Sequence, residues 1–157
     1  MRQRSSTVTR KARGFTLIEL LIAVVVIGIL AAIAFPSFMG SIRKSRRSEA
    51  FTALAAIQQA QERWRSNNAA YATNLTAALP TGLGIVSPTT GGYYTLSLDN
   101  VTEKSYDAIA TAVSGTSQAA DGDCAKLGVR LSGGNLTYAS SNGDPLNYVA
   151  IDKCWVR

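Results

Sequence analysis

The 157-residue chain carries 16 basic against 10 acidic residues, two cysteines and no histidine, with 46% of its residues apolar. That length holds one globular domain at most; the missing imidazole excludes Ser-His and Cys-His nucleophilic catalysis, and two cysteines alone cannot complete a four-ligand zinc set. Five of the sixteen basic residues precede Gly14, which leaves eleven against ten beyond it, so the high isoelectric point is no signature of nucleic-acid binding.

Residues 1–14 (MRQRSSTVTRKARG) form a basic leader with no acidic residue and no apolar run. Residues 15–35 (FTLIELLIAVVVIGILAAIAF) follow, apolar throughout except for Glu19. As a helix this stretch reaches about 32 Å, the thickness of a bilayer core. A carboxylate inside such a span costs about 2.5–3.5 kcal/mol at mid-bilayer, so Glu19 needs a partner or a use. In a secretory signal peptide the apolar region precedes the cut and is lost; processing at Gly14 would leave it on the mature chain.

Pro36 removes one backbone donor, so a kink is expected where the apolar segment (15–36) ends. In residues 37–68 Phe51, Leu54, Ile57, Gln61 and Trp64 recur at three- and four-residue steps opposite a polar side, which predicts an amphipathic helix ending near Asn67-Asn68. Residues 69–92 contain Pro80, Gly82, Gly84, Pro88, Gly91 and Gly92 without a sustained period, and read as a connecting loop. In residues 93–157 alternation at Tyr94, Leu96 and Leu98, then over 106–113, at Leu127, Val129 and Leu131, and at 136–138 predicts strands joined by short turns, with 148–151 a last extended candidate before Cys154. The whole reads as an α+β chain, a long helix laid on an antiparallel sheet of about four strands.

The run Gly14-Phe15-Thr16-Leu17-Ile18-Glu19-Leu20, with its short basic leader, long apolar helix and Pro36, resembles the class III leader and N-terminal segment of type IV prepilins. The rest resembles, more loosely, the globular half of small minor pilins of the PilE type, through the Gly92-Tyr93-Tyr94 strand and the paired-cysteine C-terminal region. The resemblance implies cutting between Gly14 and Phe15 by prepilin peptidase, N-methylation of the new Phe15 amine by the same enzyme, and packing of the apolar helices into a filament core. It assigns Glu19 the pairing with the Phe15 amine of a neighbouring subunit, and an ion pair of that kind penalises wrong registers more than it adds stability. It also decides orientation: the leader stays cytoplasmic and the C-terminal half is periplasmic in the inner-membrane precursor, then extracellular in a pilus. With an exported C-terminal half, Cys124 and Cys154 are expected to form one disulfide, worth about 3–4 kcal/mol in the chain-entropy picture.

The implied partners are other pilin subunits, the peptidase, an inner-membrane assembly platform and, before assembly, membrane lipid. No cofactor, metal or enzymatic activity is expected, since no carboxylate pair or phosphate-binding glycine loop stands out. Arg43, Lys44, Arg46 and Arg47 read as a solvated or lipid-facing collar rather than a phosphate site. Asp121-Gly122-Asp123 reads as a turn, having too few ligands for calcium. Lys104, Lys126, Arg130 and Lys153 are dispersed, so nucleic acid is not favoured as a partner. The expected function is a structural subunit, a minor pilin, serving adhesion, twitching motility or DNA uptake. The alternatives are a pseudopilin of a type II secretion system and a DNA-binding uptake pilin.

Overall fold

A computed structural model of the chain describes residues 14–143 and 145–155, so the basic leader up to residue 13 lies outside the described residues. The chain divides into two compact units, the first ending at Met39 and the second starting at Gly40. One helix, α1 (Leu17–Arg65), enters both.

In the first unit Thr16 and Glu19 begin the helix. The Glu19 carboxylate accepts from the Thr16 backbone N–H at 3.1 Å and hydroxyl at 3.0 Å, and the Glu19 N–H donates back to the hydroxyl at 3.3 Å. This is a capping box, in which two donors that a helix start would strand are satisfied reciprocally. The large apolar side chains from Phe15 to Phe38 are exposed, Leu17 at 84% and Ile33 at 71%, along a stretch long and apolar enough to cross a membrane.

In the second unit α1 turns Ala50, Leu54, Ile57, Ala60 and Gln61 inward at helical spacing, with Phe51 and Trp64 half-buried at the margins. The helix stops at Arg65, just short of the expected asparagines, because they cap it: Asn68 Nδ2 and the Asn67 N–H both donate to the Trp64 carbonyl, at 2.8 and 3.1 Å. Four strands follow, β1 (Tyr94–Asp99), β2 (Ser105–Ala112), β3 (Lys126–Ser132) and β4 (Asn135–Ser141), an antiparallel meander in chain order. Tyr94, Leu96, Tyr106, Ala108, Ala110, Leu127 and Val129 join Leu54 and Ile57 in the core. The α+β expectation is thus met, down to the number of strands.

The connecting loop is tied in at both ends. Gln61, fully buried, donates through Nε2 to the Ala72 carbonyl (2.9 Å) and accepts the Ala72 N–H on Oε1 (2.8 Å). Further on, Ser87 and Thr89 use their hydroxyls to occupy the outer edge of β1 at Leu96 and Tyr94, which blocks edge-to-edge pairing there.

The outer face of the sheet departs from simple alternation. Asp107 and Ile109 on β2 and Gly128 on β3 are buried although they point away from the helix side. Residues 145–149 cross over them as a strap: a Cβ on Gly128 would meet Leu146 Cδ1 and Tyr148 Oη, each at 2.8 Å. Residues 148–151 therefore do not continue the sheet; only Val149 pairs, with Tyr138 on the edge of β4. The strap ends at a disulfide between Cys124 and Cys154, whose closed loop contains β3, β4 and the strap itself.

Candidate functional site

The residues singled out for processing and assembly lie together at the N-terminus. Phe15 is 87% exposed, and the space where Gly14 would carry a side chain is open, so the backbone between the two is approachable. Glu19 has a local partner in Thr16, two hydrogen bonds that offset part of the cost of a carboxylate in an apolar span. Both fall on Oε2; among the described residues Oε1 has no hydrogen bond. Thr16 was not singled out in the sequence, although Thr-x-x-Glu before an apolar run is a readable helix-start signal. The helix continues through Pro36 to Arg65.

The basic run is not the free collar expected of it. Arg47 grips Asp121 with two bonds, Nε to Oδ2 at 2.6 Å and Nη2 to Oδ1 at 2.8 Å, and Asp121 is buried. That pairing holds the Arg47 guanidinium above its ordinary pKa. Arg46 lies over the Tyr93 ring, 4.2 Å from its centre, and donates to the Ser117 hydroxyl. Gln118 completes the cluster, donating from Nε2 to Asp121 (2.8 Å) and to the Arg43 carbonyl (3.3 Å). The cause is a pair of 3₁₀ turns, Ser117–Ala120 and Gly122–Cys124, that bring a carboxylate 74 residues away against the helix. Lys44 alone of the four is exposed, the three arginines being partly buried.

The dispersed cations of the sheet are also largely engaged. Arg130 holds the buried Asp107 by two bonds of 2.6 and 2.7 Å and stacks on Tyr148 at 4.1 Å, while Asn100 donates to the same carboxylate. Lys153 pairs with Asp123 in an exposed ion pair that lowers the Asp123 pKa. Asp121 and Asp123 thus point to different partners, consistent with a turn and not with a shared cation site. Trp155 sits against Phe51 and Tyr138, its ring centre within 4.8 Å of each, and donates Nε1–H to the Ala139 carbonyl, so it serves as an edge aromatic beside the disulfide.

One feature had no sequence signal. At the end of α1 a cavity of about 490 Å³ is lined by Arg63, Trp64, Asn67, Asn68, Leu79 and Pro80. Leu79, on the loop, is 73% exposed, held on a turn in which the Thr81 N–H and hydroxyl both donate to the Ala78 carbonyl.

Comparison with known proteins places these features. Residues 9–35 match the prokaryotic N-terminal methylation motif. Residues 36–128, more than half of the chain, match the family described as "Type IV minor pilin ComP, DNA uptake sequence receptor". The chain is 33% identical over 107 residues to the type IV wide pilus major component PilA4 of Thermus thermophilus, 68% of this chain and 79% of that one. It is 48% identical over 68 residues to the type IV major pilin protein PilA of Myxococcus xanthus, 43% of this chain and 31% of that one. To the type II secretion system core protein G of Escherichia coli it is 35% identical over 65 residues, 41% and 45%. The match to these last two spans less than half of their length.

Proposed function

Since the chain belongs to the type IV pilin family, we propose that it is a minor pilin, cut between Gly14 and Phe15, methylated at the Phe15 amine and assembled into a surface filament through its apolar helix. The observation that carries this reading is the junction of a capped helix start, an open Gly14-Phe15 backbone and a run of exposed apolar side chains that cannot stay in water. The Phe15 amine is a partner for Glu19 Oε1, while Thr16 holds Oε2; a carboxylate fixed in this way sets the register of one helix against the next. Before assembly the same helix anchors the precursor in the membrane, with the leader charges on the cytoplasmic side and the assembly platform receiving the mature chain.

A second reading, DNA reception at the filament surface, is favoured by one observation: the family whose description names a DNA uptake sequence receptor matches from residue 36 into the start of β3, at residue 128. A secretion pseudopilin is supported by a shorter match, 41% of the chain against 68% for the pilus component.

The test is the mass of the N-terminal peptide, measured separately from sheared surface filaments and from membranes of the native host. A chain beginning at methylated Phe15 in filaments, at low stoichiometry to the major subunit, is expected. Uncut protein confined to membranes would end the filament reading, and equal stoichiometry would end the minor-subunit reading. Glu19→Ala is expected to reach the membrane and be processed but to be missing from filaments.

A further inference from the structure

We propose that the cavity at the end of α1 is a nucleotide pocket, in which one unstacked base of a DNA strand lies on Trp64 with its phosphate at Arg63; this rests on the DNA-reception reading. A cavity of about 490 Å³ is within the size range of ligand sites, and its apolar floor with a few polar groups is their usual composition.

The choice of Trp64 follows from what the other aromatic rings already do. Arg46 covers Tyr93, Arg65 approaches Tyr71 and Arg130 covers Tyr148. Trp155 is packed between Phe51 and Tyr138. Trp64 is backed by the core on one side and lines the cavity on the other, with no cation or ring stacked on it among the described residues. A ring held in this manner is a stacking platform that accepts any base, because every base has a π-face.

The charges point the same way. Arg47, Arg130 and Lys153 are neutralised by carboxylates of the chain, whereas Arg63 is exposed and has no ion pair among the described residues. Asn67 and Asn68 use their Nδ2 groups locally, on Ser66 and on the Trp64 carbonyl, which leaves their Oδ1 atoms as acceptors for a base amino group. Exposed Leu79 then closes over the edge of the base as an apolar wall. The apolar cavity beside Glu49, about 470 Å³, offers none of this, since the Glu49 carboxylate is bonded to the Gly91 N–H and no cation lines it.

The experiment uses the mature full chain in lipid nanodiscs, probed with a labelled single-stranded oligonucleotide, the matching duplex and a neutral oligosaccharide. Carrying Trp155→Phe makes Trp64 the sole tryptophan, so its fluorescence reports the pocket directly. Saturable quenching by the single strand is expected, with Trp64→Ala weakening binding about tenfold and Trp64→Phe keeping most of it. Arg63→Gln, an exposed change that leaves the fold untouched, should reduce the slope of log affinity against log salt by about 0.7. If wild type binds DNA but Trp64→Ala and Arg63→Gln bind equally well with an unchanged salt slope, the pocket is wrong and the DNA reading stands. If neither single strand nor duplex binds, both fall together. Quenching by the oligosaccharide and not by DNA would also overturn the proposal.

Discussion

Gln61 is the buried polar group on which the link between helix and loop depends. Its amide makes both of its bonds to Ala72, a residue only 2% exposed. Gln61→Leu keeps a side chain of similar size but strands the Ala72 N–H and carbonyl away from water. Each stranded group costs about 1–3 kcal/mol, so the pair costs about 2–6 kcal/mol, centred near 4. For a unit of this size that lowers Tm by about 15 °C. Thermal unfolding of the processed full chain in detergent micelles, followed by near-ultraviolet circular dichroism, measures the change. Glu62→Gln is the control: Glu62 is exposed, its contact with the Tyr71 hydroxyl is long at 3.5 Å, and its removal should stay within about 0.5 kcal/mol. If Gln61→Leu lies within about 1 kcal/mol of wild type, the Ala72 groups find other partners without effort, and the reasoning from buried unpaired donors fails here.

Three other outcomes follow from the same contacts. Gly128→Val drives a branched side chain into Leu146 and Tyr148 and should cost about 1–3 kcal/mol by overpacking, with increased proteolysis of the strap as its signature. Arg47→Gln leaves the buried Asp121 with Gln118 as its remaining side-chain donor among the described residues and should cost about 3 kcal/mol, whereas Lys153→Gln breaks a solvent-screened exposed pair and should leave stability essentially unchanged; chemical denaturation of the two variants side by side decides it. Burial raises the pKa of Tyr94, Tyr106 and Tyr148 above the ordinary phenol value. A raised folded-state pKa means that stability is full below the unfolded value of about 10 and declines as pH rises beyond it. In an ultraviolet titration these three of the six tyrosines should ionise only with alkaline unfolding, and early ionisation of all six would contradict their burial.

The sequence determined those features that depend on near neighbours. The period of Leu54, Ile57 and Gln61 marks the inner face of α1, because residues three and four apart share a side of any helix. Alternation at Tyr94 and Leu96 marks the inner face of β1 in the same way. The β3–β4 hairpin is announced by Gly133-Gly134, both with positive φ, since a two-residue turn of that hand favours residues that adopt positive φ without strain, glycine above all. The Thr16–Glu19 box is equally local, three residues apart, and was open to the same reading.

Only the tertiary structure decided which charges are spent and which surfaces remain. Arg47 meets a carboxylate 74 residues away and Arg130 one 23 residues away, distances over which composition says nothing about who pairs with whom. The burial of Asp107 and Gly128 depends on a strap that folds back over the sheet, and the helix-end cavity on a loop that returns Leu79 to the side of Trp64. Such contacts arise when the chain closes long loops to bury apolar surface, and the partner each residue then meets is set by the path of the whole chain and not by its neighbours.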